Sequence, residues 1–159
     1  MKWSSFCLLG MVVLLNACHK TTVTDPAVNQ YPFSCKVNGQ LWFPASEADS
    51  ILVDLSNFSS PGGTTNIFTI SATKTTGERI TLGNVGLKVN AYTEIKYINA
   101  YSKTGCGTYV PDATKVNFIK TTSIDSVQGT ISGIFQVECN SADCTKNIKI
   151  TEGRFTVSY

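Results

Sequence analysis

Gly129-Thr130-Ile131-Ser132-Gly133-Ile134-Phe135-Gln136-Val137-Glu138-Cys139 decides the fold class of this 159-residue chain. Ile131, Gly133, Phe135, Val137 and Cys139 share one parity, with Thr130, Ser132, Gln136 and Glu138 between them. Successive side chains of a strand point to opposite faces, so this two-residue period marks a half-buried strand. The closing segment carries the same pattern with a change of phase. Ile148 and Ile150 fall on even positions, whereas Phe155, Val157 and Tyr159 fall on odd ones. One uninterrupted strand cannot bury both sets, because a slip of one residue turns every side chain over. An extra residue at Glu152-Gly153 restores the phase, and a β-bulge is expected there.

The rest of the chain reads the same way. Phe33, Cys35 and Val37 alternate with Ser34 and Lys36 and run into Asn38-Gly39, a hairpin signal because both residues tolerate positive φ. Leu41-Trp42-Phe43 forms the return strand and Pro44 ends it, with residues 45–50 as a loop or one helical turn. Residues 51–56 read as a strand, and Ser59 to Gly63 as a loop. Residues 67–73 and 79–82 then pair around Thr76-Gly77. The glycine-broken stretch 83–90 fits no one element, and residues 94–101 alternate again. Residues 104–107 form a turn, 108–110 a short edge strand and 116–124 a longer strand. No stretch holds a 3.6-residue period over three turns. The expectation is an all-β domain of about nine or ten strands, a single antiparallel β-sandwich with a partly open β-barrel as the alternative.

The first seventeen residues differ from all of this. Lys2 gives a positive start, Phe6 to Leu15 an apolar run, and Ala17 a small residue before Cys18. That is the layout of a secretory signal peptide, and the run is shorter than the roughly 20 residues a membrane span needs. Leu15-Asn16-Ala17-Cys18 resembles the lipobox of bacterial lipoproteins, which implies an acylated, palmitate-type Cys18 as the mature N-terminus. An ordinary signal peptide and an uncleaved membrane helix are the competing readings. The expected organisation is therefore a signal peptide over 1–17, a lipidated N-terminus and flexible tether over 18–30, and the β-domain over 31–159. The membrane is then a partner through lipid, with the protein held at the outer membrane of a cell envelope on a face the sequence leaves open. Cys35, Cys106, Cys139 and Cys144 remain, an even number in an exported chain, and so read as two disulfides. Cys139–Cys144, five residues apart across a turn, is the favoured pair, leaving Cys35–Cys106.

Taken together, the lipobox, the polar tether and the opening hairpin Phe33-Ser-Cys-Lys-Val-Asn-Gly-Gln-Leu-Trp42 resemble small Bacteroidetes lipoproteins that carry an all-β domain of unknown function. Gly129-Thr-Ile-Ser-Gly-Ile-Phe135 and Ile150-Thr-Glu-Gly-Arg-Phe155 extend that resemblance over nearly the whole length. It implies a fold and an envelope location, and brings no catalytic residue with it. It also implies O-glycosylation at Asp-Ser-apolar tripeptides, which Asp49-Ser50-Ile51 and Asp125-Ser126-Val127 match.

Chemistry is sparse. Charged residues make up 15% of the chain and the net charge is +2 with no block of one sign, which gives no reason to expect nucleic acid as a partner. The single histidine is His19, so the β-domain has no imidazole for a nucleophile–base pair or a histidine-ligated zinc. No C-x-x-C or calcium-loop spacing occurs, and no metal or cofactor is expected. Asp54, Glu94, Asp125, Glu138 and Glu152 are the carboxylates for a glycosidase-like pair, but no spacing selects two of them. Binding without catalysis is the leading expectation. Tyr97 and Tyr101 flank Asn99 on one strand and, with Trp42, are the candidate ligand-binding residues, with Tyr92 and Tyr109 behind them. The competing assignment puts Ile95, Tyr97, Tyr101 and Trp42 in the core. The ligand would be a glycan or a small apolar molecule, and the alternatives are docking to an envelope protein or a carboxylate-only glycosidase.

Overall fold

The computed structural model describes residues 30–46, 49–60, 63–85, 88–95, 100–141, 144 and 146–159. Within them the chain forms eleven strands and no α-helix. These are β1 (Phe33–Val37), β2 (Gln40–Trp42), β3 (Ser50–Ser60), β4 (Gly63–Thr73), β5 (Arg79–Val85) and β6 (Tyr92–Glu94). They continue with β7 (Tyr101–Lys103), β8 (Gly107–Pro111), β9 (Phe118–Asp125), β10 (Thr130–Asn140) and β11 (Ile148–Ser158). The main path runs β2-β1-β11-β10-β8-β7-β5-β4-β3, with β9 also on β10 and β6 on β9. One largely antiparallel sheet thus curls into a half-barrel, within the sandwich-or-open-barrel expectation.

The curl has a visible origin in β10. Thr130 to Gln136 pair with β9, whereas Cys139 and Asn140 pair with the end of β8. The sheet therefore forks along one strand. One arm is β9-β6, and the other, β8-β7-β5-β4-β3, folds back so that Phe68 of β4 comes within 6.0 Å of Phe155 of β11, ring to ring. Phe33, Phe135 and Phe155 continue this aromatic core, at 5.1 Å and 6.5 Å between successive centroids. The even–odd alternation of β10 is realised without a break, every odd residue from Ile131 to Cys139 being buried.

The phase change in β11 is the expected bulge. Phe135 pairs with Gly153 and Val137 with Ile150, so Gln136 faces both Thr151 and Glu152. Glu152 takes up the turn with φ 53°, and burial switches from Ile148 and Ile150 to Gly153, Phe155 and Val157. The two glycines of this pair of strands are seats for aromatic rings. A Cβ on Gly153 would lie 2.5 Å from the Phe135 ring, and one on Gly133 would strike Phe155. Glycine here admits a ring from the facing strand. The Asn38-Gly39 hairpin also forms as expected, with φ of 50° and 82°.

Several expectations are corrected. β8 is not an edge strand, since it pairs with β7 at one end and β10 at the other. Strands β3 and β4 reach further than expected, and Ser59, Ser60 and Gly63 belong to them rather than to a loop. The disulfide pairing differs as well. Cys106 is bonded to Cys144, with Cα atoms 5.7 Å apart, while Cys35 and Cys139 are free and buried. The reason is strand parity. Cys35 and Cys139 are buried on the inward faces of β1 and β10, set within strands. Cys106 and Cys144 lie, partly buried, in the connections that follow β7 and β10. Burial raises the thiol pKa of both free cysteines, that of Cys139 to about 12, so both stay protonated at neutral pH. The leader, lipobox and most of the tether lie outside the described residues.

Candidate functional site

Four connections meet around a cavity of about 610 Å³. The β1–β2 hairpin brings Asn38, Gln40, Leu41 and Trp42, the β4–β5 hairpin Lys74 and Glu78, and the β7–β8 hairpin Tyr101, Lys103, Cys106 and Tyr109. Cys144, Lys146 and Ile148 come from the segment leading into β11. The Cys106–Cys144 bond ties two of these connections together.

Glu78 is the centre of the site. It follows the Thr76-Gly77 turn, where the Lys74 N–H donates to the Glu78 carbonyl at 2.8 Å and closes the hairpin. The Trp42 indole N–H donates to Glu78 Oε2 at 3.0 Å, and the Tyr101 hydroxyl donates to Oε1 at 3.1 Å. Lys103 Nζ stands 3.4 Å from the same Oε1. Partial burial works to raise the Glu78 pKa, but the bonds from Trp42, Tyr101 and Lys103 outweigh it and hold the carboxyl below its usual range. For Tyr101, burial first and then the Glu78 charge push the phenol well above its ordinary value, so it remains a donor. A carboxylate accepts about four hydrogen bonds. Among the described residues three partners engage Glu78.

Trp42 and Tyr101, two of the four residues expected to bind ligand, thus come together, and Tyr109 joins them with its ring 5.5 Å from that of Tyr101. Their faces are not open platforms. Trp42 is 3% exposed and Tyr101 2%, and Lys74 Nζ covers the indole at 4.9 Å from its centroid. The rings form the wall and fix Glu78, and both belong to the core, as the competing assignment had it. Tyr97 and Asn99 lie outside the described residues. Tyr92 sits apart on β6, packed edge-on to Phe118 at 5.2 Å.

The five carboxylates considered for acid–base work are elsewhere. Glu138 pairs with Lys149 at 3.0 Å and Glu152 with Lys36 at 3.0 Å. Asp125 accepts the N–H groups of Val127 and Gln128 across its turn, at 2.9 Å each. Asp49, of the first glycosylation tripeptide, accepts from the N–H groups of Ala45, Ser46 and Thr75. Among the described residues no cluster of three His, Cys, Asp or Glu side chains forms a metal site, and no helix is long and apolar enough to cross a membrane.

Glu78, Lys74, Lys103 and Lys146 are the residues that sequence reasoning passed over. A signal for the first two exists. Phe68, Ile70 and Ala72 are buried with Lys74 next in parity, and Glu78 precedes Ile80 and Leu82 in the same phase. A charge in step with a buried face, beside a turn, marks the rim of a core. Lys146 carries no such mark. No family model matches the chain, and no curated protein or solved structure matches it either.

Proposed function

We propose that this chain is a lipid-anchored cell-envelope protein whose β-domain binds a hydroxyl-rich ligand of the glycan class in the cavity around Glu78. The observation that carries the reading is the preset carboxylate. Glu78 is held in place by Trp42, Tyr101 and Lys103 before any ligand arrives, so a sugar hydroxyl meets an acceptor that needs no reordering. The cavity is open and its lining mixes apolar walls with four charged side chains, which favours a polar ligand over a carried apolar one. A disulfide suits an exported protein, in keeping with the leader and lipobox read in residues 1–18.

The test is an oligosaccharide array probed with the wild-type protein and with Glu78→Gln. Retention on a defined subset of glycans is expected, weakened about tenfold in the variant, because a hydrogen bond to a charged acceptor is worth roughly 1.5–3 kcal/mol. Retention that is equal in the two proteins, or absent from both, would overturn the reading.

One observation favours the docking alternative. Among the described residues β3 pairs only with β4, and it carries Leu52 and Leu55 at 65% and 43% exposure. A strand of an envelope protein could add to this edge. A protein that retains no glycan but is held to envelope extracts through β3 would fit that second reading.

A further inference from the structure

Lys74, Lys103 and Lys146 line one cavity, whose described lining includes a single carboxylate, Glu78. That carboxylate is already engaged by Lys103, Trp42 and Tyr101. Lys74 has no carboxylate partner among the described residues, and its ammonium is held 4.9 Å from the Trp42 ring centroid and 5.9 Å from that of Phe43. Lys146 is exposed and likewise unpaired among the described residues. Elsewhere on the sheet, Lys36 and Lys149 stand 3.0 Å from Glu152 and Glu138. Among the described residues, two positive charges therefore face the cavity without a carboxylate partner, one of them held over aromatic rings.

Resting on the glycan reading above, we infer that the ligand is an anionic glycan, its carboxylate or sulfate groups bound by Lys74 and Lys146 while Glu78 accepts a hydroxyl. The lysines supply point charges with three donors each, which suits an anionic group of either geometry. Glu78 repels an anion placed against it, so the charged group must lie toward Lys74 and Lys146 and the neutral hydroxyls toward Glu78. That division gives the cavity a direction. Because Lys74 occupies the face of Trp42, the site reads charge and hydroxyl pattern, and ring stacking on Trp42 adds nothing.

Isothermal titration with matched pairs of probes tests this. One pair is a heparin hexasaccharide and its desulfated, N-acetylated, carboxyl-reduced counterpart, and the other a galacturonic acid hexasaccharide and its carboxyl-reduced counterpart. We expect at least one anionic member to bind about a hundredfold more tightly than its neutral partner; tight galacturonate binding assigns carboxylate, and tight heparin binding without it assigns sulfate. Lys74→Gln and Lys146→Gln should each weaken it about tenfold, and added salt should weaken it further. Equal binding within each pair overturns the inference and leaves the glycan reading standing. Anionic binding unaffected by both lysine variants overturns this site as its location. Binding of none of the four overturns the anionic assignment, and the array of neutral sugars then decides whether the glycan reading falls with it.

Discussion

Phe135 and Phe155 each lie over a glycine of the neighbouring strand, Gly153 and Gly133, and this reciprocal seating fixes the register of β10 on β11. A methyl group at Gly153 would meet the Phe135 ring at 2.5 Å, and a ring in a packed core has little room to move. Gly153→Ala should therefore destabilise the domain by about 1–3 kcal/mol, seen as a lower urea midpoint. Thr121 should respond the other way. Its side-chain oxygen is buried on β9 without a hydrogen-bond partner among the described residues, which leaves the desolvation of that hydroxyl unmatched there. Thr121→Val should raise stability by about 1 kcal/mol, and a loss instead would show that the hydroxyl is engaged. Much at this scale was legible in advance. Parity assigned the inward faces of β10 and β11 and required the bulge at Glu152-Gly153. It did not lead to Glu78, because a lone charge after a turn reads as solvated until the indole and phenol that bind it are seen to come from distant strands.

At the scale of elements, the cysteines show where sequence reasoning ran out. Short separation favoured Cys139–Cys144, but the alternation that makes β10 a strand also buries Cys139 on its inward face, and Cys144 bonds Cys106 instead. Local spacing and strand parity gave conflicting answers, and parity prevailed. The same holds for β8, where residues 108–110 looked like an edge yet the strand bridges β7 and β10. Nothing local encodes that bridge, since it depends on the fork in β10. The observed disulfide closes a separation of 38 residues between two connections that line the cavity. A Cys106→Ser, Cys144→Ser double variant should lose about 4 kcal/mol in the chain-entropy account. An unchanged urea midpoint would mean that the bond constrains little.

For the whole molecule, residues 1–18 have in the proposal the role of an address and the folded domain that of binding. Two or more acyl chains hold a protein at a membrane where one holds it marginally, at about 0.8 kcal/mol per buried methylene. Cys18→Ser should therefore move the protein from the membrane pellet to the soluble fraction, and a variant that stays in the pellet would contradict the anchor. The fold class was legible because strand periodicity pervades the chain. The curl of the sheet was not, because it arises from strands that meet only in three dimensions. The binding proposal rests on the cavity around Glu78, and Trp42 reports on it directly through the indole N–H bonded to that carboxylate. The decisive measurement is the amide and indole NMR spectrum of the protein titrated with an oligosaccharide retained on the array. The account predicts saturable movement of the Trp42 indole signal together with the backbone signals of Lys74, Glu78 and Lys103. Binding that leaves those signals in place, and moves others remote from the cavity, would contradict it.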